Sequence, residues 1–176
     1  MTHLIIGNGI AGVCAAEAIR EMDRDTPIVM VSDETLPPYS RPMLSQVLEG
    51  AQPFEKLPVR SPSFYERLKI KPVLGQRVTA VSPTEKTVGF ADGRRLPYGR
   101  LLIAAGADPR RLTVPGHSLD NIFYLRTQAD VRAQLAALKG ARRALVLGGG
   151  LVGFKAAYGL MKQGLAVTML ITSAYP

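Results

Sequence analysis

Three glycines close to the amino terminus have the spacing that can hold a pyrophosphate. Gly7, Gly9 and Gly12 form the pattern Gly-x-Gly-x-x-Gly directly after the apolar run 4–6. The first glycine permits a tight turn, the second lets the backbone approach a phosphate, and the third lets a helix pack closely on the preceding strand. Because the first N–H groups of a helix lack partners within it, a helix that starts near Ile10 predicts an anion site made of backbone.

Two acidic residues stand where a dinucleotide site needs a carboxylate. Asp33 and Glu34 follow a second predicted strand, residues 27–31, and lie roughly 20 residues after the glycines, where a carboxylate can accept hydrogen bonds from both ribose hydroxyl groups. A solvated turn is the alternative interpretation of these two acids. Their coincidence with the glycines favours the ribose site, and the sequence leaves open which of the two faces the sugar.

A second glycine pattern has the same context. Gly148, Gly150 and Gly153 follow the predicted strand 143–147 and open a helix predicted to run through Gln163. Two such strand-turn-helix units are far more specific for dinucleotide binding than one. The second unit holds only two strands, so we expect a fragment, or a chain that needs a partner, with exposed sheet edges that would favour homo-oligomers.

Composition excludes several classes of site. The chain of 176 residues is 47% hydrophobic, which is enough for a real core. Its single cysteine, Cys14, and two isolated histidines, His3 and His117, build neither a disulfide framework nor a zinc site, so we expect no metal. We expect Cys14 to be a partly buried small residue rather than a reactive thiol. No acid, base or nucleophile constellation stands out, so the sequence names no catalytic residue.

Charge and hydropathy exclude two kinds of partner. The formal net charge is +8, but the arginine doublets at 94–95, 110–111 and 142–143 are scattered and lack interleaved aromatic residues, so we expect no nucleic-acid binding. A basic surface would favour an acidic protein partner or a phosphate-bearing cofactor. No apolar stretch approaches the roughly 18 residues of a spanning helix, so we expect no membrane insertion and a cytoplasmic location.

The elements that must position these residues alternate between helical and extended patterns. A proline-broken loop at 36–46 enters a short helix that ends near Gly50; Arg41 in this loop could contact a phosphate or cap a surface turn. Further predicted elements are a helix at 61–69, a strand at 70–74, an antiparallel meander at 77–97, an apolar strand at 101–106, a helix at 127–138 with Thr127 as cap, and a strand at 166–171. The fold class is therefore α/β: a parallel sheet with helices on both sides, plus an antiparallel β meander.

Two glycine patterns separated by a β meander resemble the pyridine nucleotide-disulfide oxidoreductase family. The stretches 38–45, 92–93, 114–116 and 125–127 are similar to its NADH-dependent rubredoxin, ferredoxin and nitrite reductase branch. The resemblance implies a Rossmann-like fold, with the first part of an FAD-binding domain at 1–112 and an incomplete NAD(P)-binding domain at 113–176. It also implies electron transfer from NAD(P)H through FAD to a small iron–sulfur or rubredoxin-like protein.

The same resemblance implies the cofactor-contacting residues. Those that would contact FAD are Gly7, Gly9, Ala11, Gly12, Asp33, Glu34, Arg41, Gln46, Val78, Ala105, Gly106 and Arg110. Those that would contact NAD(P)H are Gly148, Gly150 and Gly153.

Four departures from the family pattern change what we expect of the site. Gln46 stands where the family often has a lysine, so the flavin should be harder to reduce, and Ala105 replaces the usual threonine. Lys155 replaces a usual glutamate, and the neutral residues 171–173 replace the acidic end of a strand, so NADH is not favoured over NADPH. The alternative function is a non-catalytic nucleotide-binding or scaffold subunit.

Overall fold

A computed structural model describes residues 1–172. Its helices and strands are, in chain order, β1 (His3–Ile6), α1 (Ile10–Met22), β2 (Ile28–Val31), α2 (Leu44–Glu49), α3 (Phe64–Arg67), β3 (Ile70–Val73), β4 (Val78–Ser82), β5 (Thr87–Phe90), β6 (Arg95–Pro97), β7 (Arg100–Ile103), α4 (Gln128–Ala137), β8 (Arg143–Leu147), α5 (Leu151–Lys162) and β9 (Ala166–Leu170). Short 3-10 helices occupy Arg41–Met43 and Phe54–Lys56.

The chain divides into two compact units. The first unit comprises Met1–Tyr39 and Pro58–Ala107, and the second comprises Ser40–Leu57 and the chain from Asp108 onward. This division differs from the predicted blocks 1–112 and 113–176 chiefly because the proline-broken segment 40–57 groups with the later residues. Which cofactor each unit holds stays a prediction.

The first unit is built on a four-stranded parallel sheet in the order β3-β2-β1-β7. Ile6, the last residue of β1, pairs with Val31 of β2 and Ile103 of β7, so the three strands end at the same edge. The antiparallel sheet β4-β5-β6 confirms the predicted meander. The α/β fold class predicted from the sequence is thus confirmed, and the carboxyl ends of β1 and β2 are where a ligand would meet the sheet.

Alternating residues of the central strands supply two hydrophobic clusters. Ile5 packs on one face of the sheet with Val13 of α1 and Phe64 of α3. Leu4, the next residue along, packs on the other face with Val88 and Phe90 of β5. Because successive strand residues point to opposite faces, burial of both faces explains why residues 4–6 are continuously apolar. This packing fixes the start of α1 at the end of β1.

The described residues of the second unit contain the parallel pair β8-β9 and the α-helices α2, α4 and α5. Helix α4 begins with a capping box: the Thr127 hydroxyl accepts from the N–H of Asp130, and the Asp130 carboxylate accepts from the N–H of Thr127, as the predicted cap requires. Helices α2 and α5 pack closely, since a Cβ on Gly159 would lie 3.2 Å from the backbone nitrogen of Glu49. The Gln163 amide also donates to the Leu48 carbonyl at 2.9 Å.

Two elements predicted from the sequence are shorter in the structure. The helix predicted at 61–69 is only Phe64–Arg67: Ser63 is its N-cap, and Lys69, just beyond its C-cap, has a φ of +49°. The strand predicted at 101–106 ends at Ile103, as the backbone turns toward Gly106 at a φ of +73°.

Cys14 is exposed rather than partly buried. Val13 and Ala16 of α1 face the core, which leaves the intervening Cys14 on the outer side of the helix. The structure therefore corrects the expected burial of this residue.

No helix in the described part of the chain has the length and apolar character that a bilayer span requires.

Asp23 fixes the turn from α1 to β2 and makes stability depend on pH. Its Oδ1 accepts the N–H groups of Thr26 at 2.9 Å and Asp25 at 3.1 Å, and its Oδ2 lies 3.3 Å from Nε2 of His3. Hydrogen bonding, chiefly from Thr26, holds the pKa of the Asp23 carboxyl well below its usual value. A carboxyl with a depressed folded-state pKa stabilises the protein above its unfolded-state pKa, and that contribution is lost as pH falls.

We expect the melting temperature to drop as pH falls below about 4, the ordinary pKa of an aspartate, because the unfolded state takes up the proton first. Asp23→Asn should show a smaller drop than the unmodified chain between pH 7 and pH 3. Thermal unfolding followed by circular dichroism measures both. An identical pH dependence in the variant would show that Asp23 does not contribute.

Candidate functional site

The first glycine turn is shaped by two positions that cannot carry a side chain. Gly7 has a φ of +119°, and a Cβ there would collide with the carbonyl oxygen of Ala104. A Cβ on Gly12 would in turn collide with the carbonyl oxygen of Gly7. The N–H of Gly7 donates to the Val31 carbonyl at 2.8 Å, so the turn is fastened to the neighbouring strand β2. The glycines are therefore required by the backbone itself.

The second glycine of the turn, Gly9, faces open space. Gly9 is the N-cap of α1, and in the described structure no atom beyond Gly9 and its two chain neighbours lies within 4 Å of the place where its Cβ would be. Among the described residues, no side chain caps this helix, and its first turn holds no acidic residue. The N–H groups of Ile10, Ala11 and Gly12 have no partner within the helix. Open space, free donors and the positive end of a helix dipole fit a pyrophosphate.

The second glycine turn has the same backbone geometry at its principal positions. Gly148 has a φ of +113°, and its N–H donates to the Leu170 carbonyl of β9 at 2.9 Å. A Cβ on Gly153 would collide with the Gly148 carbonyl oxygen. Gly150 is the N-cap of α5 and, within residues 1–172, also faces open space with no side chain capping the helix. Both turns thus provide a backbone cradle of the same kind.

The two acids after β2 have different surroundings. The Oε2 atom of Glu34 accepts the Tyr39 hydroxyl at 2.6 Å, and Tyr39 is buried. The Asp33 side chain is 55% exposed, and its ion pair with Nη1 of Arg77 is long, at 3.5 Å. Glu34 is therefore engaged in holding Tyr39, whereas Asp33 can turn toward a ligand. This arrangement favours Asp33 as the ribose partner.

The remaining predicted FAD contacts fall in both units. Val78 begins β4 and is half-buried, while Ala105 and Gly106 are exposed just beyond the end of β7, in the first unit. The second unit contains Arg41, Gln46 and Arg110. Gln46 and Arg110 are exposed, and Nη1 of Arg41 donates to the Arg126 carbonyl at 2.9 Å. The first unit thus contains the glycines of the first turn and the two acids, whereas Arg41, Gln46 and Arg110 belong to the second unit.

Sequence reasoning missed a polar network beside the first turn. Asn8, between the first two glycines, is buried; its Nδ2 donates to the Leu36 carbonyl at 3.1 Å, and its Oδ1 accepts the Tyr65 hydroxyl at 2.9 Å. Burial raises the pKa of the Tyr65 hydroxyl, which therefore stays a donor at neutral pH. An asparagine at the variable position of the glycine pattern was the one signal that could have drawn attention to this network.

Among residues 1–172, no group of three or more histidine, cysteine or acidic side chains is arranged to hold a metal ion. The chemistry that the described site supports is the binding of phosphate and ribose groups, with donors supplied by the backbone and an acceptor supplied by a carboxylate.

A parallel sheet with a glycine turn at a helix start, present twice, defines a dinucleotide-binding protein of the Rossmann-like class. The chain belongs to the pyridine nucleotide-disulphide oxidoreductase family, whose sequence profile matches residues 1–175. This confirms the family that the sequence resembles.

Two relatives are ferredoxin reductases. The chain is 39% identical to the 5,5'-dehydrodivanillate O-demethylase ferredoxin reductase subunit of a Sphingobium species, over 95% of this chain and 41% of that protein. It is 38% identical to a ferredoxin–NAD(P)(+) reductase of a Sphingomonas species, with the same two coverages of 95% and 41%. The chain therefore spans about two fifths of the length of the curated relatives that it matches.

Solved structures share the fold. The covalent putidaredoxin reductase–putidaredoxin complex matches with a TM-score of 0.89 and 35% identity, over 98% of this chain and 42% of that chain. The NADH:rubredoxin oxidoreductase of Clostridium acetobutylicum matches with a TM-score of 0.89 and 28% identity, over 99% of this chain and 45% of that one.

Proposed function

We propose that the first unit binds FAD, that the second binds NAD(P)H, and that the protein is an FAD-dependent NAD(P)H oxidoreductase. One observation carries this proposal: the same glycine turn, with an open helix start, occurs twice in a chain of this family. When bound, FAD accepts a hydride from a nicotinamide and releases electrons singly. The chain's own residues would bind and orient the two cofactors.

Several residues of the first unit have specific proposed roles. The N–H groups of residues 10–12 would donate to the FAD pyrophosphate, and the Asp33 carboxylate would accept from the adenosine ribose. Ala105 and Gly106, which carry little or no side chain beyond the end of β7, would let the cofactor approach the backbone.

We infer a small redox protein as the electron acceptor. The relatives are named for ferredoxin, and the solved structures for putidaredoxin and rubredoxin, all of them small electron carriers. The formal net charge of +8 would favour encounter with an acidic carrier. Assembly into homo-oligomers and a cytoplasmic location stay predictions from the sequence.

Flavin reduction tests the proposed function. The chain is mixed with FAD and, under anaerobic conditions, with NADH or NADPH, while the visible absorbance of the bound flavin is recorded. Loss of that absorbance supports an oxidoreductase. Saturable FAD binding with no loss on adding either nucleotide would favour the non-catalytic nucleotide-binding or scaffold subunit.

We further propose that the second unit discriminates little between NADH and NADPH. Val31 of β2 and Leu170 of β9 occupy equivalent places, since each pairs with the last residue of the strand before the glycine turn. Two residues later stand Asp33 in the first unit and the exposed, neutral Thr172 in the second. A threonine neither repels a 2′-phosphate nor accepts two ribose hydroxyls as a carboxylate does. Ser173, next in the chain, lies outside the described residues.

Thr172→Asp should create a preference for NADH. A carboxylate there would accept from the ribose and repel the 2′-phosphate, so the ratio of the NADPH to the NADH dissociation constant should rise about 10- to 150-fold. Isothermal titration with each nucleotide measures this ratio. Thr168→Asp, at an exposed position within β9, adds the same charge away from the strand end and should leave the ratio unchanged. Equal shifts from both variants would contradict the assignment.

A further inference from the structure

Asn8 connects three separate parts of the first unit. It lies inside the glycine turn, it donates to Leu36 in the loop after β2, and it accepts from Tyr65 on α3. The amide has a defined orientation, because the Leu36 carbonyl can only accept and the Tyr65 hydroxyl is placed to donate. The Tyr65 ring is itself held by an edge-to-face contact with the buried Phe64, at 5.2 Å between centroids. Ring packing therefore anchors the bridge at its Tyr65 end.

The loop that Asn8 holds carries the two acids. On its other side the loop is fastened near the end of β3, where the Gln76 N–H donates to the Ser32 carbonyl at 2.8 Å and the Gly75 N–H donates to the Glu34 carbonyl at 3.2 Å. Asn8 supplies the complementary attachment, from the loop directly to the glycine turn. The backbone around Asp33 is thus fixed between the β3 side and the turn.

The corresponding position in the second glycine turn carries no side chain. Gly149 corresponds to Asn8, and a Cβ there would lie 2.6 Å from Cγ2 of Ile171. The Ile171 side chain, which follows β9 directly, therefore occupies the space that a side chain at position 149 would need. In the first unit, Asn8 attaches the turn to the loop that carries the acids.

We propose that Asn8 is a positioning residue that sets the distance between the glycine turn and the Asp33 carboxylate. This inference rests on the proposed FAD site of the first unit. A dinucleotide spans both the pyrophosphate cradle and the ribose acceptor, so its affinity depends on how these two groups are held relative to each other. Asn8 would act on the ribose through Asp33 rather than by touching FAD.

A double-mutant cycle on the 176-residue chain tests this role. FAD dissociation constants are measured by flavin fluorescence for the unmodified chain, Asn8→Ala, Asp33→Ala and the double variant. We expect Asn8→Ala to weaken FAD binding about 10-fold, because it removes both hydrogen bonds by which the glycine turn is joined to the Leu36 loop and to α3. In the Asp33→Ala background the same change should cost less than about 3-fold, because there is no carboxylate left to position.

Two further variants separate positioning from a general loss of stability. Tyr65→Phe keeps the ring packing and removes only the hydroxyl, so the variant should fold. It should weaken FAD binding more when Asp33 is present than in the Asp33→Ala variant. Gln134→Ala removes a buried amide that donates to the Tyr124 carbonyl at 2.8 Å in the second unit, and it should leave FAD affinity unchanged.

Equal fold-losses for Asn8→Ala in both backgrounds would show a merely structural role and overturn the inference. FAD binding that is unaffected by either Asn8→Ala or Tyr65→Phe would overturn it as well. Failure of the unmodified chain to bind FAD would instead overturn the proposed function, so the two failures are distinguishable.

Discussion

Gly12→Ala should lower the melting temperature of the chain by roughly 6–12 °C, whereas Gly9→Ala should leave it within about 2 °C. The added Cβ at position 12 would collide with the Gly7 carbonyl oxygen, which is backbone and cannot move aside cheaply. Overpacking of this kind costs about 3 kcal/mol, which corresponds to that change for a chain of this size. At position 9 the Cβ would enter open space in the described structure.

Thermal unfolding without FAD, followed by circular dichroism, compares these two variants directly. Gly9→Ala also separates binding from folding, since its methyl group would enter the space that a pyrophosphate uses. It should weaken FAD binding while the fold stays intact. Equal melting temperatures for Gly12→Ala and the unmodified chain would contradict the close approach of α1 to the turn.

Asp33→Ala should weaken FAD binding about 10- to 150-fold, because hydrogen bonds to a charged group contribute about 1.5–3 kcal/mol. Asp33→Asn should be milder, since the amide oxygen still accepts one bond. Neither change should shift the melting temperature much without FAD, because the Asp33 side chain is half-exposed and its contact with Arg77 is long. FAD titrations monitored by fluorescence measure the losses.

Glu34 provides the internal control for this prediction. Its carboxylate accepts the buried Tyr39 hydroxyl, so Glu34→Ala should lower the melting temperature while leaving FAD affinity closer to that of the unmodified chain. Glu34→Gln keeps an acceptor for Tyr39 and should restore stability. Equal, small losses of FAD affinity from Asp33→Ala and Glu34→Ala would mean that the acids form only a solvated turn.

The parts of the fold that the sequence predicted well are those with a local cause. The start of α1 at Ile10 follows from the glycine turn, and the Thr127 cap follows from the type of side chain at a helix start. The meander follows from a period of two and the turn at Gly93, which has a φ of +82°. In each case residues within a few positions determine the structure.

The features that the sequence could not supply depend on distant contacts. The Asn8–Tyr65 bond joins residues 57 positions apart, and no periodicity marks it. The grouping of Ser40–Leu57 with the second unit depends on packing such as that of Gly159 on α2, which local patterns do not encode. The different surroundings of Asp33 and Glu34 likewise arise from Tyr39 and Arg77, which occupy separate segments.

The central claim is that the first glycine turn and Asp33 hold FAD. An FAD titration followed residue by residue through backbone amide NMR signals tests it most directly. We predict that the largest saturable shifts belong to the amides of residues 7–12 and of Asp33, and that Gly9→Ala weakens them. Shifts confined to residues 148–153, or no saturable shift at the first turn, would contradict the account.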